Sequence, residues 1–345
     1  MEEVNVKRFE KAVSYVTPIV KNLLLGLPDG VKAGIREIRM RSGLPVIVIN
    51  QRGANFLNVN CRLSCMYGES AVRMNAADIN DTFNRICGYS VHSHKADILN
   101  GFITIEGGHR AGICGTAVSE NNAVTGIRDI SSINLRIAGE YKGVADEIVR
   151  LLFSESLCGL IVAGSPASGK TTFLRDLARQ LSNGSCDACY KTVVIDEREE
   201  IAAVWQGVAQ NDIGWNCDVL NAYPKGEAIL TALRCLSPEM IICDEVCRHN
   251  EIDAIESGVN AGVKFAVSVH AASRDDIINR PQIKRLLATG AFDYLLLLKG
   301  PETPSAVAEI YETGDLVNEI CRCDFDHVVL HPGGTIRQQE ACFTG

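Results

Sequence analysis

The chain has 345 residues, 46% of them apolar, and a formal charge of −8 at neutral pH. That length accommodates two domains, and the acidic balance argues against a nucleic-acid coat spread over the whole molecule, leaving room only for a local basic patch. The longest apolar runs, such as "YLLLL" at 294–298, fall far short of the roughly 18 residues that suggest a membrane span, and "MEEVNVKRFEKAV" lacks the apolar core of a secretory signal.

The expected location is therefore the cytoplasm, where the protein is free to dock on a membrane partner. Up to about residue 145, short apolar stretches alternate with glycine-rich turns. "LPVIVIN" (44–50) reads as a strand, "AADINDTFNRICGYSVHSH" as a helix ending near Gly88, and "GFITIEGGHRAGICGTAV" as strand, turn and strand. "SSINLRIAGE" suggests one more strand before "YKGVADEIVRLLF" resumes a helical period. The pattern is that of a smaller α+β N-terminal domain, residues 1–145, with no motif from which chemistry follows.

Three features of this half and its neighbourhood need an account. Arg36, Arg39 and Arg41 in "REIRMR" read as a solvated strand face, with a nucleic-acid patch as the alternative. His92 and His94 in "HSH" share one face if that segment is a strand, but without a third ligand they read as surface histidines. The 14 cysteines are scattered; Cys158 and Cys243 lie in apolar strands as small buried hydrophobes. "CDAC" (Cys186, Cys189) has ligand-like spacing but no second pair to complete a zinc site.

From residue 146 the rhythm changes. Apolar stretches at 159–164, 192–197, 240–245, 265–270 and 294–299 are separated by helix-like segments. Strands alternating with helices predict an α/β domain over 146–345, a mostly parallel sheet with helices on both faces. In such sheets ligands collect at the carboxyl ends of the strands, where Asp196, Glu197, Asp244, Glu245 and His270 fall.

"GSPASGKT" matches the phosphate-binding loop pattern G-x-x-x-x-G-K-[ST], between an apolar strand and an amphipathic helix. The loop Gly164, Ser165, Pro166, Ala167, Ser168 and Gly169 would curl so that its backbone N–H groups, which Pro166 lacks, face the phosphates of ATP. Lys170 would reach the β- and γ-phosphates, Thr171 would ligate Mg²⁺ and Thr172 would touch the α-phosphate. At the end of "MIICDE", Asp244 is placed to hold Mg²⁺ and Glu245 to orient or deprotonate an attacking water. The additional strand "TVVIDE" between the loop and this acidic pair points to ATPases rather than small-molecule kinases. His270, one strand further on, is placed to sense the γ-phosphate.

"ALRCLSPEMIICDEVCR" followed by "AGVKFAVSVHA" is similar to the ATPases of type II and type IV secretion systems. A closer resemblance covers almost the whole chain. "REIRMRSGLPVIV", "GFITIEGGHRAGICG", "DISSINLRIAGE", "GSPASGKTTFLRDLAR", "VVIDEREEIA", "DVLNAYPKGEAILTALRCLSPEMIICDEV" and "NAGVKFAVSVHA" resemble the stage III sporulation AA family, ATPases of the endospore engulfment channel. The resemblance implies a RecA-like P-loop NTPase domain behind the N-terminal domain, assembled as a hexamer. It further implies membrane channel proteins as partners, at the mother-cell face of the forespore membrane. Carried over onto this chain, Glu197 and Arg198 fall in an acidic box near the γ-phosphate, and Arg234 matches the arginine before the acidic strand. Cys247 stands where the pattern has glycine, which puts the geometry after Glu245 in question. Two other readings stay open from sequence: a P-loop ATPase that binds nucleic acid through its N-terminal domain, and a nucleotide-dependent switch with little turnover.

Overall fold

The computed structural model describes residues 2–184 and 188–326. Two compact units divide the chain. One runs through Tyr141 and also includes Ala203–Asn211; the other comprises Lys142–Ala202 and the chain from Asp212 onward. A boundary near 145 misses the excursion at 203–211, which returns to the first unit from within the second half of the sequence.

The first unit is built on a seven-stranded antiparallel sheet: β1 (Ile35–Arg41), β2 (Ile47–Asn50), β3 (Gly53–Asn58), β4 (Arg62–Ser64), β5 (Phe102–Ile105), β6 (His109–Glu120) and β7 (Ala123–Arg136), in the order β4-β3-β2-β1-β7-β6-β5. Period-two patterning puts Ile38, Met40, Ile133 and Leu135 on one face, buried against Phe9, Val13 and Leu24 of the N-terminal helices. Asn121 and Asn122, at φ 50° and 62°, make the tight β6–β7 turn, because both central residues of such a hairpin need the left-handed region. On the opposite face, register places Arg39 beside Asn134 and Arg110 beside Arg136, and the Arg110 guanidinium lies 3.8 Å from the Phe102 ring centroid.

Helix Ala76–Ile86 starts on a reciprocal cap, with Asp78 N–H donating to Asn75 Oδ1 (2.9 Å) and Asn75 N–H to Asp78 Oδ2 (3.0 Å). Beyond it, Val91–His94 is a 3₁₀ turn, so the shared-face argument for His92 and His94 lapses; His94 Nδ1 instead lies 3.0 Å from Asp97 Oδ2. The excursion forms a short hairpin, β10 (Val204–Trp205) and β11 (Val208–Ala209). Arg8 holds it through the Gln210 carbonyl (3.2 Å) and Asn211 Oδ1 (3.1 Å), while Gly107 N–H donates to Gln210 Oε1 (2.7 Å).

The second unit contains the predicted α/β sheet. Its strands are β8 (Leu160–Gly164), β9 (Thr192–Asp196), β12 (Cys217–Asn221), β13 (Met240–Cys243), β14 (Lys264–His270), β15 (Tyr294–Leu298) and β16 (Val307–Glu312), in the order β12-β9-β13-β14-β8-β15-β16. All neighbours are parallel except β15 and β16. The five apolar stretches are the inner strands, and the two less apolar edges β12 and β16 complete the sheet. β8, β9 and β13 are buried throughout, as a sheet covered on both faces requires.

The strand between the phosphate-loop strand and the acidic strand is β14, not β9, which lies beyond β13. His270 ends the strand after β13, as expected, and because β14 also pairs with β8 it stands between the two halves of the site. Cys243 is buried within β13, and Cys158 just ahead of β8 rather than in it; burial pushes both thiols up to about 12. Cys186 lies outside the described residues, and the Cys189 thiol donates to the Ser182 carbonyl (2.9 Å). Among the described residues, no helix is long and apolar enough to cross a membrane.

Candidate active site

The phosphate loop leaves β8 at Gly164 and enters helix Lys170–Asn183 at Gly169. Left-handed residues Ala167 (φ 61°) and Gly169 (φ 92°) curl the backbone into the concavity that such a loop needs. A Cβ on Gly164 would stand 2.3 Å from Ser168 Oγ, and one on Gly169 would meet Ser305 Oγ at 2.4 Å and Ser305 N at 2.5 Å. The second glycine is thus required by the turn after β15, which clamps the loop from outside. Ser305 N–H donates to the Ser168 carbonyl (2.7 Å), and Ser305 Oγ donates to the Gly169 carbonyl (3.1 Å).

Lys170 is buried, and its ammonium donates to the carbonyls of Gly164 (2.9 Å) and Ser165 (3.0 Å) and lies 3.3 Å from His270 Nδ1. Burial lowers its pKa, against the opposing pull of Asp244 and Glu245. Thr171 Oγ1 donates to Asp244 Oδ2, which brings the two expected Mg²⁺ ligands together. Ser268 on β14 donates to the other oxygen of Asp244 and accepts from the Glu245 N–H (2.9 Å). The acidic pair is therefore fixed by the neighbouring strand.

Glu245 adopts φ 50°, so the left-handed residue after β13 is the glutamate itself. Cys247 is not among the left-handed residues, and its N–H donates to Glu251 Oε2 (2.9 Å). The missing glycine therefore costs nothing here. One Glu245 carboxylate oxygen lies 2.9 Å from His270 Nε2, and the other accepts from Arg198. His270 thus touches Lys170 with one ring nitrogen and Glu245 with the other.

Lys170, Thr171, Asp244, Glu245, His270 and Arg198 form one connected set. Glu197 joins less directly, through Lys225 (3.1 Å) and Arg248 (3.5 Å). Asp196 is occupied otherwise: its carboxylate is buried and accepts the N–H groups of Glu200 (2.8 Å), Ile201 (3.2 Å) and Ala202 (2.8 Å), shaping the loop after β9. Thr172 is half-buried in the helix and, among the described residues, stands outside the connected set. Arg234 is exposed in the last turn of helix Lys225–Cys235, donating to the Leu230 carbonyl (3.2 Å).

Sequence reasoning missed Ser268, Ser305, Lys225 and Arg280, whose guanidinium donates to the His270 carbonyl (2.5 Å). The signal for Ser268 was available as a lone hydroxyl inside the apolar run "FAVSVH". The Mg²⁺ fit rests on this donor set. Thr171 and Asp244 supply hard oxygen ligands on adjoining elements, beside a loop of inward-curled backbone.

A protein-family model described as "Sporulation stage III, protein AA" matches residues 18–317. The chain belongs to this family. It is 36% identical to the stage III sporulation protein AA of Bacillus subtilis over 294 residues, 85% of this chain and 92% of that protein. Among solved structures it is similar to the ATPase DotB of Legionella pneumophila, with a TM-score of 0.52, 15% identity and coverage of 85% of this chain and 83% of that one. It is also similar to the pilus retraction motor PilT with bound ADP, with a TM-score of 0.54, 14% identity and 86% of each chain covered. At these identities the likeness establishes the fold alone, and the chain has the expected P-loop α/β domain preceded in sequence by a smaller N-terminal domain, whose sheet is antiparallel.

Proposed function

We propose that this member of the stage III sporulation AA family is an ATP-hydrolysing motor that works as a ring, a hexamer by its resemblance to secretion ATPases, and drives a channel between mother cell and forespore. It would dock from the cytoplasm on membrane channel proteins at the mother-cell face of the forespore membrane. The observation that carries the reading is the continuous contact path from the phosphate loop through His270 to Glu245, and through Thr171 to Asp244. A switch with little turnover has no use for a carboxylate poised beside a histidine and an arginine at the phosphate end of the loop.

In this reading the curled loop and Lys170 bind the phosphates of ATP, and Glu245 orients and deprotonates the attacking water. His270 and Arg198 orient the Glu245 carboxylate and offer N–H donors where charge develops. Thr171 and Asp244 would hold Mg²⁺, which when bound neutralises phosphate charge. A phosphate-release assay over a wide range of protein concentration tests the proposal. Activity per subunit should rise as the ring assembles; flat activity from a protein shown to be monomeric by sedimentation would contradict the ring.

A second reading, an ATPase that acts on nucleic acid, draws on the arginine-bearing face of the N-terminal sheet. There Arg39, Arg110 and Arg136 accompany Phe102, with Arg110 stacked on the ring. Steeply salt-dependent binding of single-stranded nucleic acid by the intact protein would favour it.

A further inference from the structure

Lys225 opens helix Lys225–Cys235, a place where a lysine ordinarily reaches into water, yet here it is 5% exposed. Its ammonium donates to the Glu245 carbonyl (2.8 Å) and lies 3.1 Å from Glu197 Oε2 and 3.6 Å from Glu251 Oε1. Glu251 is itself buried, held by the N–H groups of Cys247 (2.9 Å) and Arg248 (3.0 Å). Burial alone would lower the ammonium's pKa, but Glu251, Cys243 and Glu197 together raise it, so it remains charged.

A buried ion cluster of this kind is a poor source of stability, since desolvation offsets the attraction. Its geometry suggests another use. Glu245 sits in the left-handed region, which a residue with a Cβ occupies only when its surroundings hold it there. Ser268 fixes its N–H and Lys225 fixes its carbonyl, so the backbone is gripped on both sides of the residue. The same ammonium holds Glu197, the chain neighbour of the Arg198 that contacts the Glu245 carboxylate. One cation therefore ties the strand end carrying Arg198 to the strand end carrying the carboxylate.

We infer that Lys225 is a positioning residue, setting the Glu245 carboxylate and its Arg198 partner in register for attack on the phosphate. The inference rests on the ATPase reading above. Lys225 is expected to act on turnover and not on nucleotide binding, because its contacts go to Glu197, Glu245 and Glu251 and none goes to the phosphate loop.

The test compares Lys225→Met with the double variant Lys225→Met/Glu251→Gln. Methionine fills the same space without charge. Glutamine keeps an acceptor for Cys247 and Arg248, so the double variant leaves no buried carboxylate without its cation. Melting temperature, affinity for fluorescently labelled ADP, kcat and KM for ATP are measured on the full chain. In the double variant kcat should fall by at least about tenfold while KM and ADP affinity stay within about threefold, the split expected of a group that acts on the chemical step. Lys225→Arg, which restores a cation, should recover part of the rate. A folded double variant with wild-type kcat would overturn the inference, and so would equal losses in KM, affinity and kcat. Failure of both variants to fold would overturn it as well, by assigning Lys225 to stability. A wild-type protein that releases no phosphate would instead overturn the ATPase reading, and this role with it.

Discussion

Replacing His270 with asparagine separates the two contacts of the imidazole. An asparagine amide reaches about as far as the Nδ1 side of the ring, so a partner for Lys170, now 3.3 Å away, is retained. The Nε2 contact to Glu245 at 2.9 Å is lost. Glutamine reaches further and should recover part of that contact. The His270 side chain is 43% exposed, so the lost pair contributes at most about 1 kcal/mol to folding, a few degrees in melting temperature. Its effect on catalysis should be larger. A donor aimed at developing charge contributes about 3 kcal/mol, which is about a hundredfold in kcat. The assay is steady-state phosphate release alongside thermal melting and ADP binding. His270→Asn should lower kcat by about two orders of magnitude with ADP affinity and melt nearly intact, and His270→Gln should fall between. An unchanged rate with an unchanged melt would refute the role, as would a loss of ADP affinity as large as the loss of rate.

Two further substitutions probe the local structure. Gly169→Ala forces a side chain to φ 92° and against Ser305 at 2.4 Å, so it should cost about 1–3 kcal/mol from the backbone alone and weaken nucleotide binding strongly; wild-type affinity would refute the clamp between the β15–β16 turn and the loop. In the N-terminal unit, burial and then Arg8 push His109 down to about 3, with its Nδ1 accepting the Ala138 N–H (3.0 Å). The unfolded chain takes up that proton below about pH 6.5 and the folded one does not, so this contribution is present above 6.5 and shrinks as pH falls. Between pH 7 and pH 5 the loss should be about 2 kcal/mol, and His109→Asn, which keeps the acceptor, should remove it; equal pH dependence of denaturant unfolding in both proteins would contradict the assignment.

Much of the second unit was legible because its chemistry is local. The phosphate loop is a continuous stretch bounded by a strand and a helix, and Asp244 and Glu245 end an apolar strand whose burial is written in its composition. What the sequence did not reveal depends on contacts distant along the chain. The order of strands in the sheet puts β14 between β8 and β13, and this alone explains why His270 contacts Lys170 and Glu245 together. Lys225 reads as an ordinary helix-opening lysine, because nothing nearby announces that Glu197 and Glu251 will meet it in the interior. The return of Ala203–Asn211 to the first unit is invisible for the same reason: its anchors are Arg8 and Gly107, far away in the chain. "HSH" left its conformation open, since four residues cannot distinguish a strand from a 3₁₀ turn.

The central claim, that the path joining the phosphate loop to Glu245 hydrolyses ATP, is tested most directly by measuring ATP binding and phosphate release together in wild type, Lys170→Ala and Glu245→Gln. The wild type should bind ATP and release phosphate in a Mg²⁺-dependent manner. Lys170→Ala should lose both, since the ammonium that now holds the loop carbonyls is the proposed phosphate ligand. Glu245→Gln keeps the shape and loses the base, so it should bind ATP within a few-fold of wild type while turning over about 10²–10⁴ times more slowly. A wild-type protein with no release, or a Glu245→Gln protein as active as wild type, would contradict it.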